Sequence, residues 1–347
     1  MLQIRRDLPE GFLTAEAADL HRDFHGPTLI HLEGHRSPAV FVSILLHGNE
    51  DVGLKAIQKV LTNFAGQVLP RELLLFIGNI KAARYGLRKL PDQEDFNRVW
   101  PGTTHSASAI TECMTQVVEY ARQVGISVSL DLHNNTGTNP HYSCIETIDA
   151  RTIQLALLFA RTIVYFRVPL GVQTGALSEL CPAITCECGK VGDASGIERA
   201  SNLIDACLRM RELPAYWPSR NDYHLLHSIA TIKVGDKWSI TFGDQDATAD
   251  LQFSTELDHW NFRTLPEGTV FGKRRPDSQA MLTVFDDHEQ EVTSSVLKVT
   301  NNDIVLQRSV IPAMLTINVQ NIRDDCLGYF MEEYPNTEAM RSTSPLV

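Results

Sequence analysis

The chain has 347 residues, is 43% apolar and carries a formal net charge of −11. That length suits one large domain or two of ordinary size with a sizeable core. The acidic balance excludes the basic stripe of a nucleic-acid surface, and no apolar run is long enough to cross a bilayer. Seven cysteines, an odd number, and a start, MLQIRRDLPEGFL, without the pattern of an export signal predict reduced thiols in a cytoplasmic protein.

The first strong element is AVFVSILL (39–46), apolar at nearly every position, which predicts a strand covered on both faces. DVGLKAIQKVLTNF (51–64) follows, with Val52, Ala56, Ile57, Val60, Leu61 and Phe64 on one helical face. A second strand is predicted at ELLLFIG (72–78). SASAITECMTQVVEYARQVG (106–125) repeats the helical pattern and stops at Gly125. ISVSLDL (126–132) and PAITC (182–186) are further strands, and ASGIERASNLIDACLRMREL (194–213) is a third helix. Strands alternating with helices of this length predict an α/β fold, a mainly parallel or mixed sheet with helices on both faces. After about residue 220 the texture becomes β-rich and broken by turn residues, which predicts a catalytic domain over 1–222 and a smaller all-β domain over 223–347. The end, NTEAMRSTSPLV, reads as a tail.

Each apolar run ends in a polar residue of a functional type: His47 and Glu50, then Asn79, then His133, then Glu187. Ligands of open α/β sheets bind at the carboxyl ends of the strands. Histidine and carboxylate suit Zn²⁺, and a catalytic zinc takes three protein ligands plus water. His47 and Glu50, three apart at a strand-to-helix turn, can aim at one point, and His133 supplies a third ligand. One zinc per chain is therefore expected, with Asp131, two residues before His133 on the same strand face, as support for a ligand. Singly, each of these residues reads as an ordinary hydrogen-bonded histidine or strand-end carboxylate. Their recurrence at consecutive run ends favours a site.

The weaker candidates read as structural. Cys181, Cys186 and Cys188 fit small buried residues better than a thiolate metal site. His21/His25 and His31/His35 read as surface histidines, and GKRRPD (272–277) as a solvated turn. There is no nucleophile elbow, P-loop or dinucleotide fingerprint.

Taken in order, His47-Gly48-Asn49-Glu50, Asn79 with Arg88, Asp95-Phe96-Asn97-Arg98, Asp131-Leu132-His133-Asn134 and Glu187-Cys188-Gly189 resemble the succinylglutamate desuccinylase/aspartoacylase family, a branch of the zinc carboxypeptidase-like hydrolases. The resemblance implies an α/β/α zinc hydrolase that cleaves an amide between an acyl group and an amino acid. It implies His47, Glu50 and His133 as metal ligands and Glu187 as general acid/base. Arg88, or else Arg84, polarises the scissile carbonyl, and Asn97 with Arg98 holds the substrate carboxylate. The expected partner is a small-molecule carboxylate, with no nucleic acid or membrane, and a homo-oligomer is left open. A zinc carboxypeptidase or esterase, and an idle zinc-retaining binding protein, are the alternative readings.

In aspartoacylases an arginine shortly before the catalytic glutamate contacts a second substrate carboxylate. VPLGVQTGALSELCPAITC (168–186) has no arginine or lysine, and Glu179 is its only charged residue. Arg167, Arg274 and Arg275 are poorer sources of that cation. This predicts a substrate with one carboxylate and a neutral or cationic remainder, with Glu179 as a partner for a cation.

Overall fold

The computed structural model describes residues 2–335, so the expected tail at 336–347 lies outside the described residues. Nine strands build the first part of the main sheet. They are β1 (Gln3–Arg5), β2 (Thr28–Leu32), β3 (Ala39–Ile44), β4 (Leu73–Ile77), β5 (Ile126–His133), β6 (Tyr142–Ile145), β7 (Thr162–Tyr165), β8 (Ala183–Glu187) and β9 (His224–Val234). Six helices connect them: α1 (Val52–Asn63), α2 (Ile80–Ala83), α3 (Ala109–Val124), α4 (Ala150–Phe159), α5 (Gln173–Ser178) and α6 (Ala194–Arg209). The strand order is β1-β2-β4-β3-β5-β8-β6-β7-β9. Pairing is parallel except where β2 meets β4 and β6 meets β8. No helix among the described residues is long and apolar enough to cross a membrane.

The pleat of β3 shows why its run is apolar throughout. Val40, Val42 and Ile44 join the core formed with α1, α4 and α6, while Ala39 and Phe41 join the core formed with α3 and α5. Helices cover both faces, as expected for this class. The four strands and three long helices read from the sequence are all present. Helix α3 starts at a capping box, in which Ser108 Oγ accepts from Thr111 N and Thr111 Oγ1 from Ser108 N. Helix α6 ends at Arg209, four residues before the expected boundary.

The C-terminal part is β-rich, as expected. It contributes β10 (Ile240–Phe242), β11 (Leu251–Phe253), β12 (Val270–Arg274), β13 (Leu282–Asp286), β14 (Leu297–Thr300), β15 (Asp303–Leu306), β16 (Ile311–Ala313) and β17 (Gly328–Glu333). Two short helices, α7 (Thr293–Val296) and α8 (Val319–Asp324), interrupt them. A separate sheet runs β10-β11-β12-β15-β14. The main sheet continues past residue 222, because β9 pairs with β7 through His224–His227 and then carries β17 and β13.

Two readings of the sequence need correction. His31 is buried on β2, where its Nδ1 lies 3.0 Å from the Tyr120 hydroxyl, so it is not a surface residue. Gly272–Arg274 belongs to β12 and not to a turn; its basic side chains punctuate a short sheet strand.

Candidate metal and hydrolytic site

The site lies at the carboxyl ends of β3, β5 and β8. After β3 the chain turns through Leu45, which is left-handed at φ 54°. It then delivers His47 and Glu50 just before α1. Gly48 is required here: a Cβ on it would stand 2.2 Å from Ala83 N and 2.4 Å from Ala82 C, and its own N–H donates to Arg88 O at 3.1 Å. The contact fastens the His47–Glu50 turn to the segment that carries Arg88. From β5, the Asn134 side chain accepts from Val52 N at 3.1 Å, supplying the N-terminal cap that Asp51 does not. The Asn134 amide also donates to Gly189 O at 3.0 Å, tying the end of β5 to the end of β8.

The three ligand candidates converge. Glu50 Oε1 lies 2.9 Å from His47 Nδ1, and Glu50 Oε2 lies 2.8 Å from His133 Nδ1. One donor atom from each residue falls within 4.8 Å of the others, and all three residues are buried. Both imidazoles turn their Nδ1 atoms to this point and give Nε2 to a carboxylate. His47 Nε2 is 3.1 Å from Asp95 Oδ1, and His133 Nε2 is 2.8 Å from Asp131 Oδ2. Asp131 is in turn held by Ser43 Oγ, which donates to Oδ1 at 2.7 Å. A carboxylate behind each imidazole fixes its tautomer and orientation and raises its basicity. Burial alone would raise the Glu50 carboxyl pKa, but the two imidazoles outweigh it and hold the group well below the usual carboxylate range. Two histidine nitrogens and one carboxylate, oriented from behind, are a donor set that fits zinc.

Glu187 stands beside His133 across the β5–β8 ladder. Its Oε2 is buried and has no hydrogen-bond partner among the described residues. Burial pushes its carboxyl up to about 7, against the pull of the His133 imidazole, with the Glu50 carboxylate adding to the rise. A carboxyl in that range can both take and give a proton near neutrality.

Arg88 lines the same cavity, whereas Arg84 is exposed and lies over Tyr85. Arg88 Nε and Nη2 donate to Asp95 Oδ2 at 3.1 and 2.9 Å, which leaves Nη1 on the side of Glu50, 3.9 Å from Oε1. Asn97 is buried, with Nδ2 3.3 Å from His133 Nε2 and Oδ1 accepting from Gln173 N at 3.0 Å. Arg98 lines the cavity and donates from Nη1 to Asn97 O at 2.8 Å. Asn79 does not reach the site; its side chain caps α2 and donates to Gln93. Glu179 is exposed at the end of α5 and does not line the cavity. Arg167, Arg274 and Arg275 do not line it either. Cys186 and Cys188 are buried in the core, and all seven cysteines are free.

The sequence reading gave no role to two acidic residues. Asp95 sits just before the Asn97-Arg98 pair, and its place in that motif was the available signal. Asp325 comes from the segment after α8, and nothing local marks it. Both its oxygens accept from Arg98 Nη2, at 3.2 and 3.0 Å, and Oδ2 lies 3.4 Å from Arg88 Nη2. Further wall residues, including Met314, Tyr329 and Met331, also come from the C-terminal part, which covers the cavity on that side.

The fold has relatives among solved structures. A succinylglutamate desuccinylase from Chromobacterium violaceum aligns with a TM-score of 0.53 at 16% identity, covering 86% of this chain and 85% of that one. Murine aminoacylase 3 gives a TM-score of 0.53 at 16% identity, covering 86% and 97%. A succinylglutamate desuccinylase/aspartoacylase from Rhodobacter sphaeroides gives 0.53 at 13% identity, covering 88% of each. At these identities the likeness is one of fold. Among curated proteins none matches the chain. Residues 36–211 match the family model described as the succinylglutamate desuccinylase/aspartoacylase catalytic domain. That span is about half of the chain and contains every ligand and acid–base candidate named above, and the chain belongs to the succinylglutamate desuccinylase/aspartoacylase family.

Proposed function

We propose that the protein is a zinc-dependent hydrolase that cleaves the amide bond of a small N-acylated amino acid. The observation that carries this reading is the convergence of His47 Nδ1, Glu50 and His133 Nδ1 beside the unpartnered Glu187 carboxyl. Bound zinc would supply Lewis acidity that activates water near neutral pH. His47, Glu50 and His133 would hold the metal, with Asp95 and Asp131 orienting the two rings. Glu187 accepts the proton of the attacking water on Oε2 and passes it to the leaving amine nitrogen. Arg88 Nη1 lies on the Glu50 side of the cavity, 3.9 Å from Oε1, and stabilises the negative charge that builds on the carbonyl oxygen. Arg98 anchors a substrate carboxylate at the far end.

The covering C-terminal wall favours a small substrate over a peptide chain. The test is a screen of zinc-loaded protein against N-acyl amino acids, short peptides and esters, with Glu187→Gln as the control. The expected result is turnover of N-acyl amino acids, lowered about 10²–10⁴-fold in Glu187→Gln with zinc retained, the usual worth of a general acid/base. Turnover confined to peptides or esters, or a Glu187→Gln protein of near-normal rate, would overturn this reading.

A further inference from the structure

Four charged side chains, Arg88, Asp95, Arg98 and Asp325, are linked, and Arg88, Arg98 and Asp325 line the cavity. Asp95 accepts from Arg88 through Oδ2 at 3.1 and 2.9 Å, and Asp325 accepts from Arg98 at 3.2 and 3.0 Å while lying 3.4 Å from Arg88. Two carboxylates cancel two guanidiniums. Among the described residues, Arg88 and Arg98 are the only arginine or lysine side chains lining the cavity. A substrate carboxylate therefore meets no guanidinium or ammonium there that lacks an acidic partner. To reach Arg98 it must share that guanidinium with Asp325, and a partly buried carboxylate left short of its partner is costly.

A substrate that brings an ammonium together with its carboxylate avoids that cost. The carboxylate takes Arg98, the ammonium takes Asp325, and every charge keeps a partner. Asp325 is the accessible acid of the four. Its side chain is 33% exposed, against 12% for Asp95. Arg98 is meanwhile held in place from behind by Asn97 O.

We infer that Asp325 and Arg98 together form a receptor for a zwitterionic group, so that the preferred substrates are N-acylated diamino acids with one carboxylate and one free ammonium. The inference takes its reaction from the proposed function, but the binding preference stands apart from turnover. Asp325 is thereby a specificity residue supplied by the C-terminal part of the chain.

The test uses three substrates with the same length of carbon skeleton, the Nα-acetyl derivatives of ornithine, norvaline and glutamate, whose side chains end in ammonium, methyl and carboxylate. The side-chain-acetylated isomer of ornithine is added to place the free ammonium at the other end. Values of kcat/KM are compared for zinc-loaded wild type, Asp325→Asn and Asp325→Glu. The expected result is a wild-type preference of tenfold or more for an ornithine derivative over norvaline. Asp325→Asn should lose it mainly through KM and gain on the glutamate derivative, while Asp325→Glu should keep it. An unchanged ornithine-to-norvaline ratio in Asp325→Asn, or a wild type that prefers glutamate, would overturn the inference. Should Asp325→Asn not fold, the wild-type ranking decides. Calorimetric dissociation constants of the same compounds on Glu187→Gln, with and without Asp325→Asn, separate the two readings. No turnover of any compound would sink the proposed reaction, and the binding ratio would still judge Asp325.

Discussion

Asp131 Oδ2 lies 2.8 Å from His133 Nε2, two residues back on the same face of β5, so the strand that presents a candidate metal ligand also presents the group that orients it. Asp131 is fully buried and is itself held by Ser43 on the neighbouring strand. Replacing it by Asn keeps the shape and removes the charge behind the imidazole. Asp131→Asn should lower zinc affinity about 10–100-fold, the usual cost of losing such a partner. Competition with a chelator of known affinity measures it. Unchanged affinity would mean that His133 is oriented by Asn97 alone.

Direct loss of a ligand should act more strongly. His47→Ala and His133→Ala should each bind markedly less than one zinc per chain while keeping the circular dichroism of the folded protein. Metal analysis of the purified proteins decides this. Full stoichiometry in both variants would remove these residues from the ligand set.

How much of the site was legible in the sequence follows from how its parts are encoded. Strands β3, β5 and β8 are covered on both faces, so each reads as an apolar run, and the first polar residues after or at its end, His47, His133 and Glu187, stand out. Helices α1, α3 and α6 are long and amphipathic, so their period survives in the sequence. Strands β6 and β7 have four residues each, too few for a period, and went unread. Asn79 also ends an apolar run but serves as a helix cap, because run-end position alone does not separate capping from chemistry. Asp325 lies in a polar stretch far along the chain and meets Arg98 only through tertiary packing. No local pattern announces that contact.

Glu146 gives a prediction that tests burial apart from catalysis. It follows β6, and its carboxylate packs into the space left by Gly175 in α5. Burial raises its carboxyl from 4.5 to about 7. Between those values the unfolded chain releases the proton while the folded protein keeps it, so this group's contribution is fully present below pH 4.5 and is lost as pH rises through about 7. Glu146→Gln should match wild type near pH 4 and be more stable at pH 8 by about 1–3 kcal/mol, the group being partly screened by solvent. Urea midpoints at the two pH values, with metal content held constant, measure the difference. A constant offset at both pH values would mean that Glu146 is ionised in the folded protein.

The glycine of His47-Gly48-Asn49-Glu50 joins two halves of the site through backbone contacts alone. A methyl group at Gly48 would stand 2.2 Å from Ala83 N and 2.4 Å from Ala82 C, and both obstacles are backbone. Neither can rotate away, so either the His47–Glu50 turn or the start of the segment to Arg88 must shift. Gly48→Ala should therefore destabilise the fold by about 1–3 kcal/mol, the range for forcing extra volume into a packed interior. It should also weaken zinc binding, because His47 and Glu50 move relative to His133, which is carried by a different strand. Gly26→Ala is the control, since a Cβ there meets nothing within 4 Å. Denaturation midpoints and zinc affinities are compared for both variants. Normal stability and normal zinc affinity in Gly48→Ala would mean that the turn has room to relax, and that the close approach of Gly48 to Ala83 does not position the ligands.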